Sequence, residues 1–175
     1  MNGADLQSRL QQVRALALDV DGVLADGGFW WGPGGEEWKR FSFADIMGIS
    51  LARRAGLQVG LISGEDTPLV DRYAAKMKIA FVAKGCRDKA AALRDFATVA
   101  GVELAGICYV GDDVNDLAAM QITGLSAAPA GAAAIALSHA MLVTRNSGGN
   151  GAVREVIDAI FAAQGIDARE VFSRP

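Results

Sequence analysis

Short apolar runs that stop at acidic or small polar residues set the strongest constraint on how this chain can fold. Ala15-Leu16-Ala17-Leu18-Asp19-Val20 ends at Asp21-Gly22, and Leu57-Gln58-Val59-Gly60-Leu61-Ile62 ends at Ser63-Gly64. Gly106-Ile107-Cys108-Tyr109-Val110 ends in the same manner at Gly111-Asp112-Asp113. Each run has the length of a buried strand and is too short for a helix. Ile79-Ala80-Phe81-Val82 is a shorter example, and residues 125–128 and 140–143 are weaker candidates. Helix-period segments fill the gaps: Ile46 to Ala55, Pro68 to Lys78, Lys89 to Ala100 and Asp116 to Gln121. Strands alternating with helices imply an α/β fold, a doubly wound parallel sheet with right-handed crossovers. Ligands of such sheets bind beyond the carboxyl ends of the strands. Asp19, Asp21, Ser63, Asp112 and Asp113 all fall there, so one mouth of the sheet should collect the chemistry.

Bulk properties narrow the classes. A chain of 175 residues, 51% hydrophobic, fits one globular domain covering residues 1–175 and is not disordered. A formal charge of −3 gives no general pull toward nucleic acid or an anionic membrane. A phosphate-binding protein with that balance must recruit positive charge locally, from a few Lys/Arg or a metal. Cys86 and Cys108 lack metal-ligand spacing and read as small core residues of a reducing compartment. No stretch approaches the roughly 20 apolar residues of a membrane span, and the N-terminus is polar where a signal peptide is apolar. A soluble, cytoplasmic protein is the expectation.

Residues 27–43 break the alternation. Phe29-Trp30-Trp31, a Gly32-Pro33-Gly34-Gly35 turn and Glu36-Glu37-Trp38-Lys39-Arg40-Phe41 read as a β-hairpin flap. The flap carries all three tryptophans. That is more apolar surface than a free flap should expose, and it marks an interface. Residues 166–175, beyond Gly165, read as a mobile tail.

The acidic strand ends suggest a specific chemistry. In Asp19-Val20-Asp21-Gly22 two carboxylates flank one apolar residue, and residues two apart on a strand share a face. One can serve as nucleophile while the other, protonated beside its charged neighbour, serves as general acid and then base. Ser63 offers a hydroxyl and nearby backbone N–H groups to a phosphoryl oxygen. Lys89, at a helix start, supplies the positive charge that two anions brought together require. Gly111-Asp112-Asp113-Val114-Asn115-Asp116 adds carboxylates suited to oxygen-coordinating Mg²⁺.

These four elements, in this order across residues 15 to 120, resemble the haloacid dehalogenase superfamily with its DxDG, strand-end Ser/Thr, Lys and GDDxxD motifs. The resemblance implies that Asp19 forms an aspartyl-phosphate and that Asp21 protonates the leaving group. It implies that Ser63 and Lys89 hold the phosphate. Asp19, the Asp21 carbonyl and Asp112 would ligate Mg²⁺, supported by Asp113 and Asp116. The gaps between motifs hold only the flap and one helix, then one helix and a short strand, so no cap domain is expected. Asp26-Gly27-Gly28, Gly35 to Phe41 and Gly148-Gly149-Asn150-Gly151-Ala152-Val153-Arg154-Glu155 resemble the capless tetrameric phosphatases of 3-deoxy-2-keto sugar acids. That implies a homotetramer built through the hairpin.

Two substrates follow from the resemblance, octulosonate 8-phosphate and nononate 9-phosphate. Gly64-Glu65, where the octulosonate enzymes usually carry Arg after the Gly, together with Lys76, leans slightly to the nononate. Glu65 has a bland alternative as a cap of the following helix. The Gly148 to Glu155 segment could cradle phosphate or let the last helix pack, and Arg154 could meet a substrate carboxylate. His139, alone in an Ala-rich segment, reads as structural. Two rival classes remain. A phospho-acceptor receiver module shares clustered Asp, Ser/Thr and Lys, but its Lys comes after the phosphorylated Asp and late in the chain, whereas here Lys89 precedes the acidic cluster. A non-catalytic phosphatase-like module associated with sugar-acid activation would not need the intact set of acidic residues.

Overall fold

The computed structural model describes residues 3–173. A first helix, α1 (Gly3–Gln12), leads into β1 (Ala15–Leu18), and the hairpin follows as β2 (Trp30–Trp31) and β3 (Glu37–Trp38). Next come α2 (Phe43–Arg54), β4 (Gln58–Ile62), α3 (Pro68–Met77), β5 (Phe81–Ala83) and α4 (Lys89–Ala100). The chain continues through β6 (Ile107–Val110), α5 (Leu117–Ile122), β7 (Leu125–Ala130), α6 (Ala134–His139), β8 (Leu142–Ser147), α7 (Ala152–Gln164) and α8 (Ala168–Ser173).

Six strands form one parallel sheet in the order β5-β4-β1-β6-β7-β8. The period-2 alternation of each strand divides the core into two layers. Leu16, Leu18, Val59, Leu61, Cys108 and Val110 face the layer shared with α1, α2, α3, α7 and α8. Ala15, Ala17, Ile62, Ile107 and Tyr109 face the layer shared with α4, α5 and α6. All four residues of β1 and of β6 are buried, as expected of a parallel sheet covered on both faces. Strand order reverses direction between β1 and β6, so the crevice opens beside Asp19.

No cap domain interrupts the sheet. Between β1 and β4 lie only the hairpin and α2, and between β4 and α4 only α3 and β5. The hairpin forms with Trp30 opposite Trp38 and Trp31 opposite Glu37. Its base is pinned by an Ala25–Phe41 bridge and by Phe41 stacked on Tyr73 at 4.5 Å. Arg40 ties the same base to Asp26 Oδ2 at 3.0 Å and to Asn150 Oδ1 at 2.7 Å.

One expectation changes, and the structure favours one of two open readings. Residues 168–173, read as part of a mobile tail, form α8, because Val171 supplies an apolar anchor that is buried against the first core layer. Arg54 holds this helix from α2 by donating to the Phe172 carbonyl at 2.9 Å. The last two residues of that expected tail lie outside the described residues. The glycine-rich segment packs rather than standing open. Gly148 lies so close to the Gly22 carbonyl that a Cβ would collide with it, and the Gly149 amide donates to the Val23 carbonyl at 3.0 Å. Asp45 of α2 then accepts from the Gly151 and Arg154 amides at 3.1 and 2.8 Å, capping α7 from outside its own chain segment. No helix among the described residues is long and apolar enough to cross a membrane.

Candidate active site

The β1–β6 crevice places the first acidic pair. The Asp19 amide donates to the Val110 carbonyl at 3.0 Å, extending the strand ladder by one residue and fixing the carboxylate at the mouth. The chain then turns through Gly22, whose φ of +80° favours glycine. Any side chain there would strike the Asp112 carboxylate, so glycine is what lets the two acidic loops close on each other.

Beneath the mouth lies a buried charge cluster. Lys89, at the first position of α4, sits with Nζ 3.0 Å from Asp19 Oδ1 and 2.7 Å from Asp116 Oδ1, and all three side chains are almost wholly buried. An ammonium has three donors, so one remains for a ligand. Asp116 is saturated: it accepts from Lys89, from the Tyr109 hydroxyl at 2.6 Å, and from the Asp112 and Asp113 amides at 2.9 and 3.1 Å. Breaking such a buried pair typically costs about 3–5 kcal/mol. Asp116 thereby shapes the loop that presents Asp112, and Asp113 caps the turn after it by accepting from the Val114 amide at 2.6 Å.

The electrostatics call for a cation. Ligand oxygens of Asp19, Asp112 and Asp116 lie within 4.8 Å of one another. Fully ionised, the three carboxylates would exceed the single Lys89 ammonium by two negative charges in this confined space. Burial, then the Asp116 charge, push Asp19 up to about 8 despite Lys89. Burial, then Asp116 and Asp113, push Asp112 up to about 6. Lys89 moves upward as well: burial opposes this, but Asp19 and Asp116 outweigh it. A hard divalent ion with oxygen ligands fits this donor set. Because Asp116 already accepts four hydrogen bonds, Asp19 and Asp112 are the carboxylates open to the ion.

A cavity of about 470 Å³ opens above the cluster, lined by Asp19, Asp21, Glu65, Asp112, Asp113 and Asn115. Gly22, Gly27, Gly64 and Val114 complete its wall, and at the glycines backbone can approach a ligand closely. A larger cleft of about 730 Å³ lies at the opposite ends of the strands. Its Arg14 is engaged by the Gln11 and Val13 carbonyls, and no acidic cluster faces it. The smaller, charged cavity is the one equipped for chemistry.

Ser63 is fully buried between β4 and β5, its amide donating to the Ala83 carbonyl at 2.8 Å. Its hydroxyl accepts from the Glu65 amide at 3.1 Å, a bond that leaves the hydroxyl proton uncommitted. Glu65 lines the cavity and does not cap α3; Thr67 does, accepting from the Leu69 amide, with Pro68 following. Lys76 is not brought to the cavity of its own chain. It lies in the last turn of α3, with Nζ 5.7 Å from the Phe43 ring centre, because α3 runs away from the strand ends. Arg154 also lies outside the lining. Its guanidinium is paired with Asp158 one turn along α7, at 2.8 and 3.0 Å. His139 ends α6 with Nδ1 2.9 Å from the Ile135 carbonyl and takes no part in the site.

Two residues that the sequence motifs do not assign to the site belong to its surroundings. Tyr109 orients Asp116; the detectable signal was an aromatic hydroxyl two residues before Gly111 in a strand otherwise apolar. Lys39, at the hairpin base, places its ammonium 2.7 Å from Asp21 Oδ1. Nothing local in Glu37-Trp38-Lys39-Arg40 announces that contact. Burial would lower the Lys39 pKa, but Asp21, Glu37 and Glu65 hold it above the ordinary lysine value.

Comparison with known proteins agrees with this geometry. Residues 70–157 match the haloacid dehalogenase-like hydrolase family. The 3-deoxy-D-manno-octulosonate 8-phosphate phosphatase KdsC of Escherichia coli K12 is 39% identical over 162 residues, covering 93% of this chain and 86% of that protein. This chain belongs to the haloacid dehalogenase-like hydrolases. A 3-deoxy-D-manno-octulosonate 8-phosphate phosphatase structure from Yersinia pestis superimposes with a TM-score of 0.89 at 37% identity, covering 92% of this chain and 87% of the other. The Moraxella catarrhalis enzyme of that name, in complex with magnesium, phosphate and KDO, gives 0.93 at 30% identity, covering 99% and 100%. The β1–β6 crevice of this hydrolase therefore sits in a fold shared along nearly its whole length with sugar-acid phosphatases.

Proposed function

We propose that this hydrolase is a Mg²⁺-dependent phosphatase of a 3-deoxy-2-keto sugar acid phosphate, working through an aspartyl-phosphate on Asp19. The observation that carries this reading is the buried Asp19–Lys89–Asp116 cluster beneath an acidic, uncapped cavity. Asp19, Asp112 and the Asp21 backbone carbonyl would hold Mg²⁺. Bound there, the ion would offset the charge between carboxylate and phosphate dianion and orient the ester. The third Lys89 donor and the Ser63 hydroxyl would hold phosphoryl oxygens.

The chemistry then belongs to the chain's own groups. An Asp19 oxygen attacks phosphorus, Asp21 gives its proton to the departing alcohol oxygen, and Asp21 next takes a proton from the water that releases phosphate. Relatives of known name act on octulosonate 8-phosphate, which supports that substrate. Glu65 in the cavity lining favours nononate 9-phosphate as the second reading, since a carboxylate accepts sugar hydroxyls. Of the Glu65 and Lys76 pair, only Glu65 supports it within one chain. The exposed hairpin aromatics support assembly of four chains, with a neighbour's hairpin walling the open cavity. A location in the cytoplasm is the matching expectation.

The test is kcat/KM on both sugar acid phosphates with and without Mg²⁺. Mg²⁺-dependent turnover of one substrate at least tenfold above the other assigns it. No turnover of any phosphate ester sinks the phosphatase reading and leaves the phosphatase-like module or the receiver-like acceptor.

A further inference from the structure

Lys39 follows β3, in the outer hairpin, yet its side chain is only 4% exposed. Its ammonium lies 2.7 Å from Asp21 Oδ1 and 3.6 Å from Glu37 Oε1. Glu37 in turn accepts from the Trp31 indole N–H at 3.3 Å. Burying a lysine stem gives up rotamer freedom that only a fixed partner offsets. The partner is asymmetric. Asp21 Oδ1 is taken by Lys39, whereas Asp21 Oδ2 is buried with no hydrogen-bond partner among the described residues. A buried carboxylate oxygen left unpaired is costly and calls for an explanation. Asp21 nonetheless lines the cavity with its side chain 32% exposed, so Lys39 holds a carboxyl group that borders the ligand space.

We propose that Lys39 is a positioning residue for Asp21, fixing through Oδ1 the carboxyl group that serves the leaving oxygen of the phosphate ester. This rests on the reading of Asp21 as the group that protonates that oxygen. In the step concerned, an Asp19 oxygen forms the new bond to phosphorus and the phosphorus–oxygen bond of the ester breaks. The electron pair of the broken bond stays on the ester oxygen, which takes the Asp21 carboxyl proton. Asp21 is left as a carboxylate facing the Lys39 ammonium. The hairpin thus reaches the chemistry through one ion pair, and its seating on the body sets the orientation of the acid.

Leaving-group dependence separates positioning from a general structural role. The alcohol of octulosonate 8-phosphate is a poor leaving group that needs a proton, whereas p-nitrophenolate departs with little help. The second-order constant kcat/KM reports only the steps through release of this first product. General acid catalysis is worth about 10²–10⁴-fold, and Lys39→Met is expected to lose about tenfold more kcat/KM on the alkyl ester than on p-nitrophenyl phosphate, at saturating Mg²⁺. Lys39→Arg, which keeps the charge, is expected to stay close to the wild-type ratio of the two esters, and it carries the test if the Met variant does not fold. In an Asp21→Asn background, Lys39→Met should cost nothing further on the alkyl ester. Equal losses on the two esters, or additive losses in the double variant, overturn the positioning role while leaving the phosphatase reading intact. A wild-type protein that hydrolyses neither ester overturns both.

Discussion

The sheet mouth and the hairpin are built by opposite rules. At the mouth, the buried Asp116 has its hydrogen bonds met inside the chain, and the buried Lys89 has two of its three donors engaged there. In the hairpin, large apolar side chains face outward: Trp31 is 72% exposed, and Phe29, Trp30 and Trp38 are each more than half exposed. The two-residue strands of the hairpin make a ribbon of marginal stability alone. The mouth draws its charged groups from one chain, whereas the hairpin leaves large apolar surface uncovered in that chain. On the function proposed above, phosphate chemistry and substrate choice are separable. The first would depend on groups locked in the core, the second on a hairpin that a neighbouring chain would cover.

The largest expected effect tests the mouth. Asp19→Asn keeps the shape and removes the nucleophile, and turnover should fall about 10⁴-fold or more, the scale seen when other covalent enzymes lose theirs. Retention of turnover would erase the contrast, because the core cluster would then be structural. Asp116→Ala comes next. It leaves the Lys89 ammonium and the Tyr109 hydroxyl short of a buried partner, and denaturant unfolding should show a loss of about 3–5 kcal/mol. A loss under about 1 kcal/mol, the range of a surface pair, would mean that the cluster is solvated.

Withdrawing Mg²⁺ has a smaller effect with a defined sign. A cation present at 100 times its dissociation constant stabilises by about 2.7 kcal/mol, so chelation should lower the melting temperature, and Asp112→Asn should abolish the response. Without the cation, Asp19 is held up near 8 against an ordinary value of 3.8. The folded state then binds a proton that the unfolded state has released. That stability is fully present below pH 3.8 and is lost as pH rises through about 8. The apo protein should therefore weaken as pH rises across that window, and added Mg²⁺ should flatten or reverse the slope. A pH-independent difference between apo and loaded protein would contradict the charge argument.

The hairpin prediction is the smallest in energy. The double change Trp30→Ala and Trp31→Ala should reduce the mass measured by light scattering from about four chains toward one. It should also cost about tenfold in kcat/KM on the sugar acid phosphate, the worth of a single pocket contact. The loss on p-nitrophenyl phosphate should be smaller. Equal losses on both substrates would join the two regions that the structure separates.

Much of this division was legible in the sequence because strand ends are punctuated. Asp19, Ser63 and Asp112 each follow a short apolar run, and a parallel sheet brings such ends to one side without any knowledge of side-chain contacts. Contacts between distant segments were not legible. Lys39 reads as one more charge in a polar strand, and its bond to Asp21 exists only because the hairpin folds back over the first loop. Arg154 and Lys76 were drawn to the site by resemblance. Asp158, one turn away, already pairs with the first, and the direction of α3 carries the second from the mouth. α1 and α8 escaped because each buries a single residue, Leu10 or Val171, too little to imprint a period of 3.6.

The central claim is that Asp19 carries the phosphoryl group. Quenching the enzyme during turnover, reducing any acyl-phosphate with borohydride and mapping the peptides tests it most directly. Homoserine should replace aspartate at position 19 and nowhere else. Reduction at another carboxylate, or rapid turnover with none at position 19, would contradict it.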